Sequence, residues 1–165
     1  MNRWYVVNTK SREESKAFFN LSRQGFNAYL PKYKKTSRHA RKTNVVLAPL
    51  FPKYLFVEFD MDMKNWSCIN STLGVKELIK FGPVPTPVPL GLIDDIRAKE
   101  DKQGAVLLNR RLEFKKGDQI TIVSGALSNH IGIFESQNDE ARVIILMNLL
   151  GRGVRVQLPS SSISA

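Results

Sequence analysis

The sequence predicts an α+β protein: an N-terminal α/β domain, a linker and a small C-terminal antiparallel β-barrel. Three observations carry this. A capped, periodic helix stands among β-rich runs in the first hundred residues. Four prolines, Pro83, Pro85, Pro87 and Pro89, interrupt regular pairing before a last short helix. After residue 112, short β-branched runs separated by glycines replace the helical spacing.

Element by element, Trp4 to Asn8 reads as a first strand. Ser11 to Gln24 reads as a helix, with Ser11 as its cap, Glu13 and Glu14 in its first turn and Gly25 at its end. Ala17, Phe18 and Leu21 form its apolar face, which leaves Lys16, Asn20 and Arg23 toward solvent. Phe26 to Pro31 is a second strand, and Tyr33 to Leu47 a long hairpin with a basic tip at Ser37 to Lys42. Lys53 to Asp60 carries apolar residues on both faces, so this strand is expected to be central. A short helix near Met63 to Ser71, a strand near Val75 to Phe81 and a helix over Leu90 to Lys99 follow. The expected boundaries are 1–100 for the first domain, 101–112 for the linker and 113–165 for the barrel. Its strand material is Phe114, Ile120 to Val123, Ile131 and Phe134, Val143 to Leu146, and Val154 to Leu158. So small a domain has little core, and closure into a barrel removes its edges.

Charge narrows the function. Lys and Arg number 25 against 15 Asp and Glu, a balance of +10. Such a surplus favours polyanionic partners, although simple solubility would also account for it. The surplus is concentrated: from Ser15 to Val57 there is no Asp or Glu, while Lys16, Arg23, Lys32, Lys34, Lys35, Arg38, Arg41, Lys42 and Lys53 all fall there. Interleaved apolar residues make this a folded surface rather than a free tail. The one cysteine, Cys68, allows no intramolecular disulfide and is expected to pack in its short helix. No stretch approaches the roughly 20 apolar residues of a membrane helix, and the start of the chain has no signal-peptide pattern. A cytoplasmic protein without membrane contact is expected. His39 and His130 stand apart from any ligand-spaced cluster, and no phosphate loop or zinc spacing occurs. No enzyme, no cofactor and no metal are therefore expected.

Several stretches resemble the NusG family of transcription factors. Trp4-Tyr5-Val6-Val7, Phe51-Pro52-Lys53-Tyr54-Leu55-Phe56-Val57 and Gly74-Val75 look like its N-terminal domain. Gly117-Asp118-Gln119-Ile120 through Gly125 and Gly132 looks like a KOW motif, which implies an SH3-like barrel. Glu58-Phe59-Asp60, Ile69-Asn70, Thr72, Ile79 to Gly82, Glu140-Ala141-Arg142 and Asn148-Leu149 are most similar to the specialised RfaH branch.

The resemblance implies an elongation and antitermination factor that binds the β′ clamp helices of RNA polymerase and suppresses pausing. By position, Phe51, Pro52, Tyr54 and Phe56 would form the docking patch. Strand alternation separates Tyr54 and Phe56 from Leu55 and Val57, so one pair can equally be core. Lys10, Lys16, Arg23, Gln24 and Thr72 match positions that meet the non-template DNA strand, while Glu13, Asn20 and Leu73 depart from that pattern. Arg38, Arg41 and Lys42 at the hairpin tip suit nucleic acid or the polymerase cleft. Leu127 and Ile131 are candidates for a KOW partner, NusE (also a ribosomal protein) or Rho. The chain is expected to act as a monomer.

RfaH-like barrels can also refold into an all-α hairpin. Here the barrel is expected as the ground state, although Leu146 to Leu150 would suit a helix. Two rival readings stand beside this one: an RNA-binding ribosomal or assembly protein with a KOW barrel, and a general NusG coupled to Rho.

Overall fold

A computed structural model describes residues 1–108, 119–122, 132–151 and 156–159. The chain forms two compact units, Met1–Leu30 with Pro52–Ile93, and Pro31–Phe51 with Asp94–Ala165.

The first unit is built on a four-stranded sheet. Its strands are β1 (Asn2–Thr9), β2 (Asn27–Tyr29), β5 (Tyr54–Asp60) and β6 (Val75–Leu78), in the order β2-β5-β1-β6. All neighbours are antiparallel. The strand expected to be central is so, because β5 lies between β2 and β1.

Helix α1 (Glu14–Arg23) covers one face through Ala17 and Leu21. They join Tyr5, Val7, Leu55, Val57, Phe59, Ile69, Val75 and Leu78 in one apolar cluster. Burial of each large member contributes about 1.5–3 kcal/mol. Tyr5 stacks on Phe59 at 4.2 Å, and Phe59 on Trp66 at 5.9 Å. The turn before β6 seats closely on the helix: Gly74 has φ +89°, and a Cβ there would lie 2.7 Å from the backbone N of Ala17. Only glycine fits that approach.

Three local expectations are corrected in this unit. The helix begins at Glu14 rather than Ser11, with no side-chain cap. Glu14 is buried because its carboxylate accepts the Lys53 N–H at 2.9 Å, where Lys53 holds φ +71°. Phe18 is more than a third exposed, since the buried stripe is Glu14, Ala17 and Leu21. Cys68 is exposed, in a short 3-10 helix over Trp66–Ser71.

In the second unit, β3 (Lys32–His39) and β4 (Lys42–Pro49) pair as a hairpin. Its tip residues Ala40 and Arg41 both have positive φ, 47° and 65°, as the tight two-residue turn that matches strand twist demands. Helix α2 (Leu92–Ala98) spans the boundary between the units. After it, the first residues of the expected linker are held in place. Asp101 accepts the N–H groups of Gln103 and Ala105, pairs with Lys34 at 2.9 Å, and Val106 N–H donates to the Lys32 carbonyl. Those bonds, led by the Lys34 ammonium, hold the Asp101 carboxyl below its ordinary pKa.

Strands β7 (Gln119–Ile122) and β8 (Val156–Pro159) pair antiparallel. Between them the structure departs from expectation. Residues 132–135 are helical, and Val143 to Leu146 lie inside helix α3 (Asp139–Leu150) rather than in a strand. Asn138 caps this helix by accepting the N–H groups of Glu140 and Ala141, and Asp139 and Glu140 occupy its first turn. Ala141, Ile145, Leu146 and Leu150 are buried together with Arg142 and Asn148. A helix that is buried on so many sides keeps β-branched Val143, Ile144 and Ile145 through packing, against their weak strand preference. Among the described residues no helix is long and apolar enough to cross a membrane.

Candidate functional site

The sheet face opposite α1 carries Tyr29, Tyr54 and Phe56. The register sets Tyr29 beside Phe56 and Phe56 beside Val6, and in the next row Tyr54 beside Asn8 and Asn8 beside Glu77. Tyr29 and Phe56 stack at 6.3 Å. Phe56 and Val6 are wholly buried, yet neither belongs to the cluster around α1. Leu55 and Val57 pack under the helix, while Tyr54 and Phe56 lie on the other face of the strand, where Phe56 is fully buried. Tyr54 is half-buried, and desolvation together with the nearby Glu77 charge raises its hydroxyl pKa. Pro52 is also half-buried. Phe51 falls in the second unit and is fully buried. Sequence reading missed Tyr29 and Val6 as neighbours of Phe56, because cross-strand register leaves no local signal.

A second cluster forms where α1 ends. Gln24 donates from Nε2 to the Thr72 hydroxyl at 2.9 Å, and Lys10 N–H donates to the Gly74 carbonyl at 2.9 Å. Gln24 and Thr72 thus meet at the end of α1, whereas Lys10 is tied to Gly74, which seats against Glu13 and Ala17 at the start of the helix. Thr72 is only 5% exposed, and its hydroxyl also donates to the Cys68 carbonyl at 3.1 Å. It orients Gln24 rather than presenting itself to a ligand. The Cys68 thiol sits 3.4 Å from Gln24 Oε1 and 2.8 Å from the Asn65 carbonyl. Lys16 and Arg23 are exposed along the helix; Glu13 lies 3.7 Å from the Lys16 ammonium. Asn20 turns back to donate to the Lys16 carbonyl at 2.8 Å.

The hairpin supplies a separate basic surface. Arg38, Arg41 and Lys42 are exposed at its tip, and Val45, Val46 and Leu47 are exposed on β4. None of these three basic residues approaches the α1 cluster in sequence, and they belong to the second unit. Leu127 and Ile131 lie outside the described residues.

Within the second unit, Arg142 ties α3 to the base of the hairpin. It is fully buried, donates from Nε to the Leu50 carbonyl and from a terminal nitrogen to the Ser136 carbonyl, both at 2.9 Å, and pairs with Asp139. Its guanidinium lies 4.4 Å from the centre of the Tyr33 ring. Tyr33 donates its hydroxyl to Asp139 at 2.7 Å, and Lys35 reaches the other Asp139 oxygen at 3.2 Å. Desolvation first, and that bond second, raise the Tyr33 pKa; the Asp139 carboxylate raises that of Lys35. Among the described residues, no group of His, Cys, Asp and Glu is arranged to hold a metal ion.

A family described as "Transcription termination factor nusG" matches residues 2–97. The chain is 27% identical to the transcription termination/antitermination protein NusG of Staphylococcus aureus strain Mu50, over 94% of this chain and 91% of that protein. The NusG of S. aureus strain N315 is similar to the same degree. A solved structure titled "Domain interaction in Thermotoga maritima NusG" aligns over 99% of this chain and 97% of its own, with a TM-score of 0.46 and 23% identity. With more than half its length matched by the family, the chain belongs to the NusG family of transcription termination/antitermination factors.

Proposed function

We propose that the chain is a specialised elongation and antitermination factor of the RfaH type, which docks on the β′ clamp helices of RNA polymerase. The observation that carries this is the aromatic face of the first unit. Tyr29, Tyr54, Phe56 and Val6 are gathered on the side of the sheet that α1 does not use. Large rings with few rotamers are common interface anchors. Phe56 and Val6 are wholly buried, so Tyr54, half-buried on the same face, is the ring offered for docking.

A nucleic-acid contact completes the reading. Lys10, Lys16, Arg23 and Gln24 are exposed on the first unit and would meet the non-template strand, with Thr72 holding the Gln24 amide. Arg38, Arg41 and Lys42 would add sequence-independent attraction to phosphates. The C-terminal segment would recruit a partner such as NusE or Rho through a KOW barrel, in which β7 and β8 pair as they do here. Helix α3 supports a second, helical packing of that segment.

Tyr54 offers the cleanest test, because it is partly exposed and lies outside the buried apolar cluster. Core RNA polymerase should retain the full chain, and Tyr54→Ala should weaken binding by about thirtyfold, equivalent to about 2 kcal/mol. Undiminished binding by the variant contradicts the docking face. Failure of the wild-type chain to bind polymerase, alongside tight binding to ribosomal RNA, favours the ribosomal alternative.

A further inference from the structure

We propose that Phe19 is a stacking platform for an unpaired base of single-stranded DNA, with Lys16 and Arg23 holding the phosphates on either side. The inference deepens the reading above and rests on it, since it assumes that α1 meets the exposed non-template strand. Phe19 is 60% exposed on a helix whose buried stripe is Glu14, Ala17 and Leu21. A single exposed apolar side chain needs no explanation, but this one has a particular setting. Arg23 lies four residues on, with its guanidinium 6.0 Å from the ring centre. Lys16 lies three residues before it and is exposed.

At about 100° per residue, Phe19, Arg23, Lys16, Asn20 and Gln24 follow one another around an arc of about 140°. Of the two carboxylates at the start of α1, Glu13 lies 3.7 Å from the Lys16 ammonium and Glu14 is turned inward to Lys53. An exposed ring one helical turn after Lys16 and one turn before Arg23 suits a nucleotide chain, in which π-faces alternate with phosphates. It suits a single strand because the faces of paired bases are already stacked on one another. Asn20 is folded back on the helix, which leaves the ring, the two cations and Gln24 as the groups offered outward. Stacking tolerates any base, so Phe19 would add affinity while Gln24, fixed by Thr72, supplies selectivity.

The test measures binding of the full chain to a short single-stranded DNA and to a strand of equal length built from abasic nucleotides. Phe19→Ala should lower affinity for the base-bearing strand by about fivefold or more and leave the abasic strand unaffected. Phe19→Trp should keep the affinity, and its fluorescence should be quenched as the strand binds. Lys16→Gln with Arg23→Gln should weaken both strands and flatten the salt dependence. Equal weakening of both strands by Phe19→Ala would overturn the stacking role. So would unchanged binding by Phe19→Ala when the Lys16 and Arg23 variant binds poorly, a result that would leave the strand contact standing. If neither variant alters binding, strand contact by α1 falls as well.

Discussion

Replacing Arg142 with Ala should release helix α3 from the base of the hairpin and raise amide exchange across Asp139–Leu150 by a hundredfold or more. Among the described residues Arg142 is the largest fully buried side chain, and it serves two carbonyls, Leu50 and Ser136, besides Asp139. Truncation leaves both acceptors without a donor and removes the cation beside the Tyr33 ring. Breaking one partner of a buried pair in this way costs about 3–5 kcal/mol. Asp139 would keep Tyr33 and Lys35, which limits the loss on its side. Arg142→Met fills much of the same volume and should be milder. Hydrogen exchange followed by mass spectrometry reads the difference; protection equal to wild type in Arg142→Ala would show that the helix is held by its apolar residues alone.

The helix also carries a liability. Both amide atoms of Asn148 are buried without a hydrogen-bond partner. Each such group costs about 1–3 kcal/mol, so the helical packing sits closer to an alternative than its apolar burial suggests. Arg142 and Asn148 therefore pull in opposite directions on the same element.

Phe56→Ala should be the most damaging change in the first unit, lowering its stability by about 3–5 kcal/mol. The ring is completely buried and stacks on Tyr29, and deletion leaves a cavity beside Val6. Phe56→Leu conserves more volume and should cost about half as much or less. Thermal unfolding of the two variants checks the order; a smaller loss for Ala than for Leu would mean that the site collapses readily around the missing ring. Because Phe56 is needed for stability, loss of polymerase binding in Phe56→Ala alone would not separate a broken fold from a broken interface. Tyr54 is the better probe for that purpose.

How far the sequence reveals this protein differs between its parts. In the first unit the strand and helix signals are local, and the observed elements fall within a few residues of their expected places. Errors arose where a tertiary contact outweighed a local preference. The helix was expected to start at Ser11 with that residue as its cap, but it starts at Glu14, whose carboxylate is drawn inside by the backbone N–H of Lys53. The helix phase followed Glu14, Ala17 and Leu21 rather than Ala17, Phe18 and Leu21, and so Phe19 escaped notice beside the basic residues. The pairing of Tyr29 with Phe56 depends on register between strands that are distant in sequence.

In the C-terminal segment, local preference was an ambiguous guide. Val143, Ile144 and Ile145 favour a strand, whereas Asn138, Ala141, Leu146, Leu149 and Leu150 favour a capped helix. Burial on several sides decides for the helix here, and burial is not written in a window of twelve residues. The bond between Gln24 and the buried Thr72 hydroxyl left no trace in the sequence, because it joins residues 48 positions apart.

The claim on which the account rests is that the sheet face bearing Tyr54 engages transcribing RNA polymerase. Single-round transcription by purified core polymerase, on a template with a strong pause, addresses it directly. Adding the wild-type chain should shorten the lifetime of the paused complex, and Tyr54→Ala at the same concentration should leave it close to that of polymerase alone. A paused lifetime that is the same with and without the wild-type chain, or one shortened equally by Tyr54→Ala, would contradict the account.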